Sequence, residues 1–184
     1  MRNLAKTLTL GYVEAEDRMW VRLGTDLQTA HQYQLSRRVL RQLLPQVWGL
    51  LQRTLAKEAL IGGISREEAL TREHHTRIER EISLEASPPL DEESARERHP
   101  KAMEATPTPE GLIKKINVSA DDKSVRFGFV GSLLAIDFAG TRQDGHRVLQ
   151  MLWKVQDGAG WDLPAPWDQQ AARSVQEDAV KQET

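Results

Sequence analysis

The sequence predicts an α+β fold: an antiparallel sheet of about five strands in two hairpin-helix halves, helices packed on one face, and a charged central linker. Three observations carry this expectation. Apolar residues alternate with period two over short stretches near residues 7–23 and 112–138. They change to a three-to-four period over residues 35–55 and 148–155. Between the two patterned regions lies a stretch rich in charge and proline.

In the first half, Leu8, Leu10 and Tyr12 fall on one side of an extended chain, and Met19, Val21 and Leu23 on one side of the next. The polar stretch Glu14 to Arg18 joins them, which predicts a β-hairpin. From about Thr29 the spacing of Leu35, Val39, Leu43, Val47 and Leu50 predicts a long amphipathic helix. Pro45 should kink or restart it, and Gly62-Gly63 should end it. Residues 64–110 hold 19 charged side chains out of 47, with five prolines, and bury too little apolar surface to offset their ordering entropy. Ser65 to Glu68 is a capping-box pattern, so an exposed helix is expected near 65–84 and a disordered linker beyond Ser87.

In the second half, Ile116 and Val118 alternate, Asp121 to Lys123 form a tip, and Val125, Phe127 and Phe129 return as a second hairpin. Ser132 to Phe138 reads as another strand. Thr141 and Asp144 suit a helix cap ahead of Val148, Leu149, Leu152, Trp153 and Val155, and Gly158 and Gly160 follow as stops. The units are therefore 1–62, 63–110, 111–163 completing the same domain, and a flexible tail over 164–184. Both halves read hairpin then helix, as two degenerate copies of one unit would.

Composition narrows the function classes. The 184 residues carry a net charge of −2, split unevenly: 9 Lys/Arg against 5 Asp/Glu over residues 1–62, and 7 against 12 over 63–110. No apolar run approaches the ~18 to 20 residues of a membrane span, and no signal-peptide core is present, so a cytoplasmic, non-membrane protein is expected. Without cysteine there is no disulfide, thiolate nucleophile or sulfur-ligated zinc. The sequence has no glycine-rich phosphate loop, G-x-S-x-G or H-E-x-x-H. No enzyme, cofactor or metal site is expected.

Several side chains invite a chemical reading. Glu14, Glu16 and Asp17 gather carboxylates at a hairpin tip, and such tips are polar because water solvates them. His74, His75 and Glu79 have partial ligand spacing, but adjacent histidines leave a helix on different sides, so a solvated face is expected. Arg37, Arg38, Arg41 and Arg53 give the first helix a basic side, with Lys57 beyond and Lys114 and Lys115 as neighbours after folding. Five tryptophans are many for this length; Trp48 and Trp153 are expected in the core. Trp20 and Trp167, with Arg22, Arg37, Arg38 and Arg41, are the candidate partner-binding residues.

Tyr12-Val13-Glu14-Ala15-Glu16-Asp17-Arg18, Leu35-Ser36-Arg37-Arg38 and Trp161-Asp162-Leu163 together resemble a family of small uncharacterised proteobacterial proteins. The resemblance spans both patterned halves and skips the linker. It implies the two-part architecture and carries no activity. The function expected is a non-catalytic protein–protein interaction or adaptor module, self-association included; the alternative is a nucleic-acid-associated factor using the basic helix face.

Overall fold

The computed structural model describes residues 3–25, 29–60, 63–86, 110–132 and 134–168. The fold is α+β, and among the described residues it has six strands: β1 (Asn3–Val13), β2 (Arg18–Thr25), β3 (Ala30–Leu35), β4 (Lys115–Ala120), β5 (Ser124–Val130) and β6 (Ala135–Thr141). The α-helices among the described residues are α1 (Arg37–Arg53), α2 (Arg66–Ala86) and α3 (Arg142–Gly158). The sheet order is β3-β2-β1-β6-β5-β4, antiparallel except at the central β1/β6 joint. Each half is thus a three-stranded meander followed by a helix, and the second half repeats the strand order of the first across the sheet.

Both predicted hairpins form. Leu8, Leu10 and Tyr12 pair with Leu23, Val21 and Met19, all facing inward, and the turn closes through Asp17 in the left-handed region at φ 47°. At the second tip, Asp121 Oδ1 accepts from the backbone N–H groups of Lys123 (2.8 Å) and Ser124 (2.6 Å), a side chain standing in for a turn carbonyl. Thr141 caps α3 with a full capping box: it accepts from the Asp144 N–H, and Asp144 accepts from the Thr141 N–H.

Several expectations are corrected. The sheet has six strands instead of five, because residues 30–35 are a strand and not the first turns of α1. Leu35 sits four residues before Val39, which mimics helical spacing. It is buried at the end of β3, opposite Met19, and Ser36 caps the helix that starts after it. Pro45 neither ends nor restarts α1, which is assigned as one helix; Arg41, whose carbonyl the missing N–H would have bonded, is exposed to water. α1 stops at Thr54, well before Gly62-Gly63, and a short 3-10 turn at Lys57–Leu60 leads on. Gly62 lies outside the described residues, as does the linker expected beyond Ser87 through residue 109.

The sheet curls until its two outer edges are tied. The segment ahead of β4 runs parallel to β3: Glu110 donates to the Gln32 carbonyl at 2.7 Å, Gln34 to the Gly111 carbonyl at 2.9 Å, and Ile113 to the Gln34 carbonyl at 2.9 Å. The next residue, Lys114, donates to Val130 at 2.9 Å, so the same chain moves from one sheet edge to the other. The exposed edge of β3 is thereby covered.

Inside the curl, α1 packs against β4 and α3, while α3 packs against β1, β5 and β6. Each helix therefore covers strands of the opposite half, and one apolar cluster contains Met19, Val21, Leu43, Val47, Phe127, Ile136, Leu149 and Leu152 together. α2 lies over α1 and α3. It is the helix expected near 65–84, but its inner side is buried, with Leu70 fully enclosed. No helix among the described residues is long and apolar enough to cross a membrane.

Candidate functional site

The parallel joint between β1 and β6 is short, and that brevity opens a site. Only Asn3, Leu4 and Ala5 pair with β6, to Ile136, Asp137 and Phe138. At Lys6 a bulge shifts the β1/β2 register, and beyond it β1 has no register partner in β6. A groove of about 590 Å³ lies along this divergence, between β1 and α3. Its lining includes Lys6, Thr7, Leu8, Thr9 and Leu10, five consecutive residues of one strand. A strand seen face-on shows only alternate residues, so the groove meets β1 along its edge.

The groove floor is apolar: Leu8 and Leu10 from β1, Phe138 from β6, and Val148, Met151 and Val155 from α3. Except for buried Val148, all of these are half-exposed. Lys6, Arg147 and Lys154 stand on the rim, against one carboxylate, Asp144, which is held in the α3 capping box. Past Leu10, at the end of β1 next to the first hairpin tip, the Tyr12 ring meets the Trp161 ring edge-on with centroids 6.1 Å apart. Asp17 fastens that end, accepting from Trp161 Nε1–H at 2.6 Å and from the Tyr12 hydroxyl at 2.7 Å. These hydrogen bonds, the Trp161 one foremost, lower the Asp17 pKa. The chain beyond α3 is held by buried Gln156, which accepts from the Leu163 N–H at 2.9 Å and donates to the Leu163 carbonyl at 3.1 Å.

Asp17 thus corrects the reading of the first hairpin tip as merely solvated. Glu16 is engaged as well, accepting from the Gln34 side chain. Three stretches far apart in sequence meet around this corner of the fold: Tyr12 and Asp17 from the hairpin, Arg37 within electrostatic reach of Asp17, and Trp161 after the last helix.

The candidate partner-binding residues do not form one surface. Trp20 lies on the outer face of the sheet with its ring flat over Gly11, where an added Cβ would stand 2.2 Å from the indole. Arg22 sits 5.3 Å from the Trp20 ring centroid and donates to Gln32 at 3.0 and 3.2 Å. Arg37, Arg38 and Arg41 are exposed on α1, which packs against the inner face. Lys114 and Lys115 do come near α1: with Val39, Gln42 and Gln46 they line a shallow cleft between that helix and β4. Trp167, half-exposed, stacks on His74 at 4.2 Å, with Trp153 and Trp48 centroids at 5.4 and 6.2 Å. Trp48 is buried as expected, and Trp153 packs half-buried against the core.

His74 is likewise not on a solvated face. It is 1% exposed and His146 is 0% exposed, with their Nδ1 atoms 3.1 Å apart. His74 Nε2 meets the Gln150 side-chain oxygen at 3.1 Å, and His146 Nε2 faces Glu73 at 3.5 Å. Arg142, also buried, donates from Nε to Glu73 at 2.9 Å and from Nη2 at 3.0 Å. It further reaches Thr54 Oγ1 at 2.9 Å and the Leu51 carbonyl at 2.7 Å, so it also caps the end of α1. Arg77 adds a bond to Glu73 at 2.8 Å.

Proton accounting orders this chain. With neutral rings, His74 donates from Nε2 to Gln150 Oε1 and accepts at Nδ1 from the His146 Nδ1–H, which leaves His146 Nε2 without a hydrogen-bond partner, 3.5 Å from the Glu73 carboxylate. Burial lowers the His74 pKa to about 4, with the charge of His146 adding to the shift against the Gln150 hydrogen bond. Burial also lowers the His146 pKa, against the opposing pull of Glu73. For Glu73, burial alone would raise the value, but His146 and Arg142 outweigh it and hold the carboxyl far below its usual range.

A pH dependence follows from these directions. Unfolded histidines bind protons near pH 6.5 while the folded pair resists them, so the histidine contribution to stability is fully present above ~6.5 and falls away toward pH 4. The Glu73 contribution is lost as pH falls below its unfolded value near 4.5. Both terms have the same sign. Urea midpoints should therefore drop steadily from pH 7.5 to pH 5, and His74→Phe should flatten that slope; a midpoint independent of pH across this interval would contradict the assignment.

Both imidazoles are buried among α1, α2, α3 and Trp167, where they tie α2 to α3. Among the described residues no group of three or more His, Asp or Glu side chains is arranged to hold a metal ion. Compared with family models, curated proteins and solved structures, the chain matches none. The groove residues Met151, Lys154, Arg147 and Lys6 escaped the sequence reading, because no local pattern tells that β1 and β6 part company at Lys6.

Proposed function

We propose that the protein acts by binding another polypeptide, without catalysis, through the groove between β1 and α3. The observation that carries this reading is an apolar floor left half-exposed beside a strand edge, with a cationic rim. Concave apolar surfaces with a few charged groups around them are the usual form of a peptide-recognition site. The adaptor role expected from composition agrees with it, although the residues concerned are different from Trp20 and Trp167.

A photoreactive amino acid at exposed Thr9, on the groove wall, should capture a discrete protein in cells. The same group at exposed Asp122, on the far hairpin tip, should not, and Met151→Glu should abolish the Thr9 adduct without lowering the melting temperature by more than a few degrees. Equal capture at both positions, or none at Thr9, would remove the groove from consideration.

A second reading keeps one specific observation in its favour: Lys114 and Lys115 line a cleft with Val39, Gln42 and Gln46 of α1, the helix that also carries exposed Arg37, Arg38 and Arg41. Together these make a basic surface suited to phosphate contacts. A mobility shift on generic DNA or RNA that weakens steeply with salt, and more so in the Arg37→Glu/Arg38→Glu/Arg41→Glu variant, would favour a nucleic-acid-associated factor.

A further inference from the structure

We infer that α2 is a proton-operated flap: when the His74–His146 pair takes up its second proton, α2 undocks from α1 and α3 as a local unit while the sheet and its two covering helices stay folded. The device is independent of the groove, and it concerns one element of the fold rather than the stability of the whole chain.

α2 is attached by polar groups more than by apolar ones. Among the described side chains of this helix, Ala69, Leu70 and His74 are the buried ones, against six buried apolar residues on α1 from Leu40 to Leu51. Thr71 Oγ1 on α2 and His146 Nε2 on α3 are buried without a hydrogen-bond partner, and undocking returns water to them. An element with so little apolar burial opens ahead of the rest of the fold.

The histidine pair accepts one proton in place and not two. In the neutral pair His146 Nδ1–H donates to His74 Nδ1 at 3.1 Å, His74 Nε2–H donates to Gln150 Oε1 at 3.1 Å, and His146 Nε2 is bare. A first added proton fits on His146 Nε2, which faces the Glu73 carboxylate at 3.5 Å. For a second, the free position is His74 Nδ1. There it sets two N–H groups head to head across 3.1 Å and two positive charges on rings with centroids 5.3 Å apart.

The surroundings do not absorb that second charge. On α2, Glu73 is already shared by Arg142 at 2.9 Å and Arg77 at 2.8 Å, and His75 beside His74 gains positive charge itself as pH falls. On α3, Arg142 is a fixed cation acting on His146. α1 presents the Trp48 ring edge-on to His74, and the chain after α3 stacks Trp167 on it; these rings attract a cation but supply no counter-charge. Burial and the charge of His146 accordingly hold the docked His74 at a pKa of about 4. In the undocked state both rings meet water and titrate near pH 6.5, so that state binds more protons and gains as pH falls. On His74 alone, the open fraction of α2 rises roughly twentyfold between pH 7 and pH 5.

Amide exchange of the full chain, followed by NMR at pH 7, 6 and 5 and expressed as protection factors to remove the intrinsic pH dependence of exchange, tests this. Protection from Leu70 to Arg77 should fall by about tenfold or more beyond any change at Val21 and Phe127 in the sheet. The ring signals of His74 and His146 should show the second proton bound over the same interval. His74→Phe, which keeps a flat apolar ring under Trp167 and takes up no proton, should remove most of the excess loss, and His75→Gln, which alters an exposed neighbour, should keep it. Parallel loss of protection in α2 and the sheet makes the transition global and overturns the inference, as does protection of α2 that is unchanged between pH 7 and pH 5. An excess loss that survives in His74→Phe or disappears in His75→Gln belongs to another group and overturns it as well. Should His74→Phe fail to fold, the ring signals of the parent chain decide: both protons bound with α2 still protected overturns the flap.

Discussion

Expressed separately, residues 1–62 and 110–168 should each fail to fold, and mixing them should restore a cooperative melt. The reason lies in which helix covers which strands. α1 belongs to the first half yet packs against β4, and α3 belongs to the second yet packs against β1. Cutting the chain leaves Leu43, Leu44 and Val47 without β4, and Leu149 and Leu152 without the first half of the core. An isolated half would have to order its residues at ~1 to 2 kcal/mol each while losing much of the apolar burial, at ~25 cal/mol per Å², that offsets this cost. Circular dichroism and amide exchange on each fragment provide the measurement. A cooperative melt from either fragment alone would mean two tethered domains. In the intact chain, Leu152→Ala should cost about 2 to 5 kcal/mol and loosen amide protection in α1 as well as α3.

The second large effect is expected at Arg142. Truncation to alanine removes the bonds to Glu73, Thr54 and Leu51 and leaves the Glu73 carboxylate with Arg77 as its remaining strong donor. Breaking a buried ion pair by deleting one partner costs about 3 to 5 kcal/mol, because the surviving charge keeps its desolvation penalty. Arg142→Ala should therefore lower the urea midpoint sharply and release α2 first, seen as faster exchange around Leu70 and His74. The double variant Arg142→Met/Glu73→Leu should recover much of the loss, since neither charge is then stranded. A single variant within about 0.5 kcal/mol of the parent, the range of an ordinary surface substitution, would show that the cluster does not hold α2 in place.

What the residues alone determined is local. Alternation at Leu8, Leu10 and Tyr12 and at Val125, Phe127 and Phe129 specified both hairpins with their inward faces, and Thr141 with Asp144 specified the start of α3, because each signal is contained within a few residues. Residues 30–36 mark the limit of such signals. Tyr33 and Leu35 fit a strand at spacing two, Leu35 and Val39 fit a helix at spacing four, and only pairing with β2 chooses between them. His74 reads as a surface group because nothing near it in sequence is apolar enough to cover it; it is buried by half-exposed Trp167 and by residues of α1 and α3 far along the chain. The candidate groove is of the same kind. It exists because two strands from opposite halves pair for three residues and then separate, and that distance between chain segments was decided by the packing of α3 against the sheet.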